Sequence, residues 1–203
     1  MIFTTFDPAN VSLATLSSGN LVVTRSAAAG TDGGAFGVAA DIKASGKYYF
    51  EINLSSAGAS SDTSAGIAQL SATYAGLGND ALNGAVVFTS GNLWINGSNT
   101  GSVGAVTPTC EFAVDLDNHL IWARANGGNW NDSGTADPAT ATGGRTIQTA
   151  SFVPVVVQNG SPATFFTANF GATSFVGTPP AGFTAGWPAV STLQPTEDVM
   201  ILG

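Results

Sequence analysis

In a chain of 203 residues with thirteen acidic and five basic side chains, the groups able to do acid–base or nucleophilic chemistry can be taken one at a time. Glu51 comes first, because glycoside hydrolysis needs two carboxyls about 5 to 10 Å apart across a cleft. Read as a strand, SGKYYFEINL (45–54) puts Tyr48, Phe50, Ile52 and Leu54 on one face and Tyr49, Glu51 and Asn53 on the other. Glu51 therefore stands opposite the more apolar row, and no second carboxylate shares its strand. Glu111 and Asp115 lie on another strand, whose position relative to Glu51 the sequence leaves open. We expect no second carboxyl across an open groove, and read Glu51 as half of a cross-strand hydrogen bond or ion pair.

His119 is the one imidazole, so a Ser-His-Asp or Cys-His device would have to pass through it. It adjoins a hairpin bend and no G-x-S-x-G elbow accompanies it, which makes it an exposed turn residue. Cys110 is the single cysteine; it reads as a small buried apolar residue, with no disulfide framework and no zinc cluster around it. Oxygen donors that suit calcium occur in Asp115, Asp117 and Asn118, and again in Asn131, Asp132 and Asp137. Neither set has EF-hand spacing, and Asx side chains cap turns without any metal. We expect no metal, no cofactor and no catalytic residue.

The stronger signal is Trp130 in GGNWNDSG. It lies in the one long irregular segment, 127–146, and loops of that length without secondary structure of their own are often functional. An indole on a polar loop can stack on a sugar or fill a partner's pocket; the alternative is a tryptophan folded back over the sandwich edge. Trp130, Asn129, Asn131 and Asp132 form the candidate ligand-binding set. Trp94 and Trp122 sit in strands and read as core, and Trp187 as packed in the closing segment.

These residues have to be positioned by β-structure. Alternating runs rich in Val, Ile, Phe, Tyr, Trp and Thr occur at 20–26, 47–54, 65–70, 84–90, 111–116, 119–125, 152–158 and 163–170, and no long window has a helical period. Asn83-Gly84, Asn96-Gly97, Asn126-Gly127 and Asn159-Gly160 supply residues that tolerate tight hairpin turns, and Asp117-Asn118 bends a further hairpin. Strands joined by turns without intervening helices predict an all-β, two-sheet antiparallel β-sandwich.

Composition narrows the partners. Only 9% of residues are charged and the net charge is −8, so a phosphate backbone would be repelled and nucleic acid is excluded as a partner. No apolar run reaches the ~20 residues needed to span a bilayer, and MIFTTFDPAN has no basic n-region, so neither membrane insertion nor a classical export signal is expected. The end of the sequence, LQPTEDVMILG, finishes on four apolar residues, Val199, Met200, Ile201 and Leu202. In so hydrophilic a chain these need somewhere to bury themselves, and we expect both ends to pack on the domain or on a neighbouring subunit.

Several blocks, in order, resemble a known family. SGKYYFEI, then Ala65-Gly66-Ile67-Ala68, then Leu93-Trp94-Ile95-Asn96-Gly97, are followed by Val114-Asp115-Leu116-Asp117 with Leu120-Ile121-Trp122 and Asn126-Gly127. Phe152-Val153-Pro154-Val155-Val156 and the closing Asn169-Phe170-Gly171, Phe175, Pro179-Pro180 and Gly182-Phe183 complete the set. Together they resemble the SPRY domain of the concanavalin A-like sandwich group. That resemblance implies two curved antiparallel sheets and a binding function carried by loops at one end. The low-charge, Gly/Thr/Asn-rich composition is closer to phage and bacterial relatives.

The sequence is thus read as an N-terminal edge segment (1–19), a SPRY-like sandwich (20–187) and a C-terminal docking tail (188–203). The expected function is that of a non-enzymatic virion surface protein of phage type: a decoration, spike or fibre component at the virion surface, bound to other virion or assembly proteins and forming a homo-oligomer. A carbohydrate-binding module that recognises host-surface glycans through Trp130 is the alternative, and a glycoside hydrolase centred on Glu51 a third reading.

Overall fold

The computed structural model describes residues 1–28, 30–54, 63–160 and 163–190. Their strands are β1 (Phe6–Ser12), β2 (Ala14–Ser17), β3 (Val22–Arg25), β4 (Gly33–Gly37), β5 (Lys47–Asn53), β6 (Ser64–Ala68), β7 (Gly84–Phe88) and β8 (Asn92–Ile95). They continue with β9 (Ser98–Ser102), β10 (Thr109–Asp115), β11 (Leu120–Ala125), β12 (Arg145–Thr146), β13 (Val153–Gln158), β14 (Phe165–Asn169) and β15 (Thr184–Ala185). One sheet runs β1-β4-β13-β6-β7-β8-β9 and the other β12-β11-β10-β5-β14-β3-β2, with β15 alongside β5. Every pairing of these strands is antiparallel except that of β15 with β5. The fold is the expected two-sheet sandwich, and all eight alternating runs are strands.

Alternation along β5 sorts its side chains as the sequence predicts. Phe50, Ile52 and Leu54 are fully buried between the sheets with Phe112, Ile67, Leu93, Phe166 and Cys110, and Tyr48 packs against that core. Phe50 lies at its centre, stacked on Phe112 at 5.0 Å and edge-on to Trp187 at 5.8 Å. Two further apolar layers lie outside the sandwich. Phe36, Val86, Val153 and Val155 on the outer face of the first sheet are covered by Leu77, and Tyr49, Ala113, Trp122 and Trp130 make a layer on the outer face of the second.

The turns correct several sequence expectations. Asn96-Gly97 closes a two-residue hairpin between β8 and β9, with φ of 42° and 88°. The other three Asn-Gly pairs do not close two-residue hairpins. Asn83-Gly84 leads out of a helix, α1 (Tyr74–Asp80), that the sequence pattern did not predict; it is one short stretch capped by Thr73, whose side chain accepts from the Gly76 amide. Asn126-Gly127 opens the long loop, and Asn159-Gly160 begins the crossover from β13 in one sheet to β14 in the other. Asp117-Asn118 does bend the β10–β11 hairpin, where His119 takes φ 55° and is half-buried. No described helix is long and apolar enough to cross a membrane.

Residues 1–19 supply β1 and β2, outermost strands of different sheets. The two ends of the described chain meet: Phe3 pairs with Pro188, and the Ala189 amide donates to the Ile2 carbonyl at 2.9 Å. Val199, Met200, Ile201 and Leu202 lie outside the described residues.

Because Phe50 joins the stacked and edge-on aromatic contacts of the core, Phe50→Ala is expected to cost about 3–5 kcal/mol. Urea unfolding of the two proteins measures it.

Candidate functional site

The site grows from strand register. On the outer face of the second sheet, Asn169 of β14 lies opposite Glu51 of β5, Glu51 opposite Glu111 of β10, and Glu111 opposite Arg124 of β11. Two carboxylates thus sit directly across a strand pair, a placement that destabilises a sheet unless the charges are satisfied. The sequence left the place of Glu111 relative to Glu51 open; register sets the two side by side on one buried face, with no open groove between them.

Each of the four carboxylate oxygens receives a donor. The Tyr49 hydroxyl is 2.7 Å from Glu51 Oε1 and 3.0 Å from Glu111 Oε2. Burial first, then the hydrogen bond to Glu51 and the negative charge of both glutamates, push the phenol pKa up, so Tyr49 keeps its proton to donate. Arg124 Nε donates to Glu111 Oε2 at 2.6 Å, and the Gly127 amide to Glu111 Oε1 at 2.7 Å. Glu51 is held without a salt bridge among the described residues. Its donors are the successive amides of Val176 (3.0 Å to Oε2) and Gly177 (2.8 Å to Oε1), one for each oxygen.

Those amides come from a strap. The chain leaves the edge of β5 at Asn169 and returns to it at Thr184, where β15 pairs with Tyr48 and Tyr49; residues 171–183 cross the outer face between these points. Phe175 packs edge-on to Tyr49 at 4.9 Å, and Phe183 edge-on to Trp122 at 6.4 Å. Gly177 must be glycine, since a Cβ there would overlap Glu111 Oε2 and crowd the Tyr49 hydroxyl.

A second polar group sits where β5 begins. Asp115, fully buried, accepts from Lys47 Nζ at 2.9 Å and from the Asn118 amide and side chain at 3.0 and 2.7 Å. Burial alone would raise its pKa, but the hydrogen bonds from Asn118 and Lys47 and the lysine charge outweigh it, leaving the carboxyl below the ordinary value of 3.8. Asp117 accepts from the Gly46 amide at 2.8 Å. Asp115 holds the hairpin bend through Asn118, and Asp117 ties the bend to the turn before β5. Among the described residues no group of three His, Cys, Asp or Glu could hold a metal ion.

Glu51 and Glu111, bridged by one hydroxyl, form a carboxylate pair of the kind glycosidases use. Their surroundings differ from such a site. Glu111 is fully buried and Glu51 is 3% exposed, both stand on one floor instead of on opposite walls, and their oxygens face protein donors.

Two solved structures share this architecture. The SPRY domain of human HERC1 matches with a TM-score of 0.61 and 16% identity, over 80% of this chain and 96% of that one. The TRIM65 PSpry domain matches with a TM-score of 0.55 and 13% identity, over 82% of this chain and 92% of that one. The fold is that of SPRY domains. No protein-family model matches the sequence, and no curated protein does.

Within the SPRY fold, the segment 127–146 is more ordered than its sequence implies: it holds the short 3-10 turns Trp130–Asp132 and Pro138–Thr140 and ends in β12. Trp130 is 8% exposed. Its ring lies under the Arg124 guanidinium at 4.1 Å and edge-on to Tyr49 at 6.4 Å, so the indole has folded back and is not presented for stacking. Asn131 is buried as well; its side chain accepts from the Ala123 amide and donates to the Gly143 carbonyl, pairing with β11 where β12 stops. Asn129 and Asp132 are exposed and flank a closed structure. Trp122 is fully buried, but in the outer layer with Trp130; Trp94 is half-buried on the opposite outer face, and Trp187 is in the central core.

One concave feature escaped the sequence reading. Beside Glu51, the strap borders a groove of about 200 Å³ floored by Asn53, Thr109, Thr167 and Asn169 and walled by Thr173, Ser174 and Val176. Its sequence signal was the polar alternate face of β5, β10 and β14, each of which reads as unremarkable alone.

Glu51→Gln turns one acceptor oxygen into a donor facing the amides of Val176 and Gly177, and is expected to lower stability by about 1–3 kcal/mol. Gly177→Ala should do the same by overpacking, and both should speed proteolysis within the strap. Asp115 stabilises the fold above the ordinary carboxylate pKa, and that contribution is lost as pH falls below it towards the lower folded value. The gap in urea midpoint between wild type and Asp115→Asn should therefore narrow between about pH 7 and about pH 3.

Proposed function

We propose that this protein is a non-enzymatic attachment module: a virion surface component of phage type, a decoration, spike or fibre protein, bound to other assembly proteins and to copies of itself at the particle surface. The observation that carries the reading is the meeting of the described chain ends. Met1, Ile2 and Val190 are 89%, 75% and 51% exposed and stand together beside the Phe3–Pro188 pairing. The sequence then continues for thirteen residues that include Val199, Met200, Ile201 and Leu202. Exposed apolar residues at the described ends, with a further apolar segment later in the sequence, support an anchoring role for this end of the molecule.

The SPRY fold supports a binding role over catalysis by analogy only, and the engaged oxygens of Glu51 and Glu111 weigh the same way. The low charge and the Gly/Thr/Asn-rich surface suit a protein that works outside the cell after release.

Sedimentation velocity tests the anchor: the full chain is expected to self-associate, and a chain ending at Val190 or carrying Ile2→Asp to be monomeric. In a density gradient of the producing lysate the protein should band with assembled particles. A monomeric full chain, or recovery in the soluble fractions alone, overturns the reading.

A further inference from the structure

We propose that the hollow between α1 and the β8–β9 hairpin binds the end of a neutral glycan chain, a role that goes beyond the attachment reading and lies on the outer face opposite Trp130. Its floor is the outer face of the first sheet, where Trp94 of β8 and Phe88 of β7 meet edge-on at 6.0 Å. The last turn of α1, with Gly78 and Asn79, makes one wall and Asn99 of β9 another, enclosing about 260 Å³. The Gly97 amide donates to the Asp80 carbonyl at 2.7 Å. That bond ties the hairpin turn to the helix, so the hollow is preformed.

A bulge aims the polar wall. Leu93 faces Gly101 across the β8–β9 pair but Trp94 faces Asn99, so Thr100 is the extra residue in the ladder. Its hydroxyl donates to the Leu93 carbonyl at 2.8 Å, and Gly101 takes φ 117°. In an unbroken ladder Thr100 would face Trp94; the bulge sets the Asn99 side chain beside the indole instead. Bulges recur at sheet edges and beside functional sites, where they re-aim a side chain.

Each amide side chain in the hollow has one end held by the protein and the other left over. Asn79 Nδ2 donates to the Ala75 carbonyl at 2.8 Å and Asn92 Nδ2 to the Ser90 hydroxyl at 3.2 Å; both Oδ1 atoms remain as acceptors. Asn99 Oδ1 accepts from the Gly101 amide at 2.9 Å, and its Nδ2 remains as a donor. The indole N–H groups of Trp122 and Trp187 donate to backbone carbonyls, whereas that of half-buried Trp94 has no acceptor among the described residues. The held ends fix the rotamers, and the remaining ends face a ligand as placed donors and acceptors.

The lining selects the chemistry. It contains no ionisable side chain, so a charged ligand gains no ion pair, and an anion also meets a protein of net charge −8. An apolar ligand would strip water from the amides and the indole N–H and return no hydrogen bonds, a cost of about 1–3 kcal/mol for each group left unsatisfied. A sugar answers both parts of the lining: its C–H face covers the aromatic floor, and its hydroxyls both donate and accept. An aromatic floor with a few placed polar groups is the usual make-up of a small-ligand site. Walled by the helix and the hairpin and tied off at Gly97, the hollow takes a chain end instead of an extended peptide running through it.

The test is an array of neutral and sialylated oligosaccharides, followed by calorimetric titration of the best neutral hit against wild type, Trp94→Phe and Asn99→Ala. Binding to neutral oligosaccharides is expected, with each variant about tenfold weaker, an unchanged melting temperature and unchanged self-association. Asn129→Ala, beside Trp130 on the other outer face, should bind as wild type does. NMR titration of the wild type provides a readout independent of any variant: shifts should cluster on Asn79, Asn99 and the Trp94 indole N–H. Absence of neutral-glycan binding, preference for sialylated glycans, the same shifts produced by uncharged peptides alone, or shifts that cluster elsewhere would overturn the proposal.

Discussion

Two glutamates facing each other across neighbouring strands are the constraint to which the outer layer answers. Glu51 and Glu111 are placed together by register alone, and a sheet cannot relieve their repulsion by sliding, because a one-residue slip would turn Phe50, Ile52 and Phe112 out of the core. The charges are met from above instead. Arg124 neutralises Glu111, while Glu51 is held by dipoles from the strap. Burying a charge in this way is tolerated where its hydrogen bonds are complete, and several other features follow. The strap must approach closely enough to need glycine at 177, Tyr49 must keep its proton, and the Arg124 guanidinium becomes a lid for the Trp130 ring.

The same arrangement divides the outer face of the second sheet. Over β10, β11 and the start of β5 it is roofed by the strap and by the segment after β11, with Trp122, Trp130, Phe175 and Phe183 as an extra apolar layer. Over β2, β3, β14 and the end of β5 it carries Thr, Ser, Asn and the partly exposed Phe165. Glu51 stands on the boundary, with one side turned to the roof and the other lining the groove. A residue whose role is structural therefore also fixes the wall of the concavity that adjoins it.

Much of the fold was legible because alternation along a strand is a local property. The faces of β5 could be read from SGKYYFEINL, and the burial of Cys110 from its small apolar side chain in a strand. Register is not local, so the meeting of Glu51 with Glu111 was invisible although each lies on the alternate face of its own strand from Phe50 and Phe112. An Asn-Gly pair fixes neither the backbone nor the pairing around it: Asn96-Gly97 takes positive φ and closes a hairpin, whereas Asn159-Gly160 does not take positive φ and begins a crossover. Trp130 misled for a related reason: GGNWNDSG reads as a flexible polar loop, yet Asn131 takes φ 50° and hydrogen-bonds to β11. The polar composition of the loop reflects internal hydrogen bonding.

The antiparallel contact of Phe3 with Pro188 sets how the molecule carries load. The described chain enters and leaves at one point, so tension applied between the two ends is taken by that short pairing and the Thr4–Trp187 hydrogen bond next to it, which break in succession. The sheets behind them are loaded only after those bonds have opened. When both ends are held by the same support, tension between them bypasses the sandwich, and a pull on its far face loads the attachment point first.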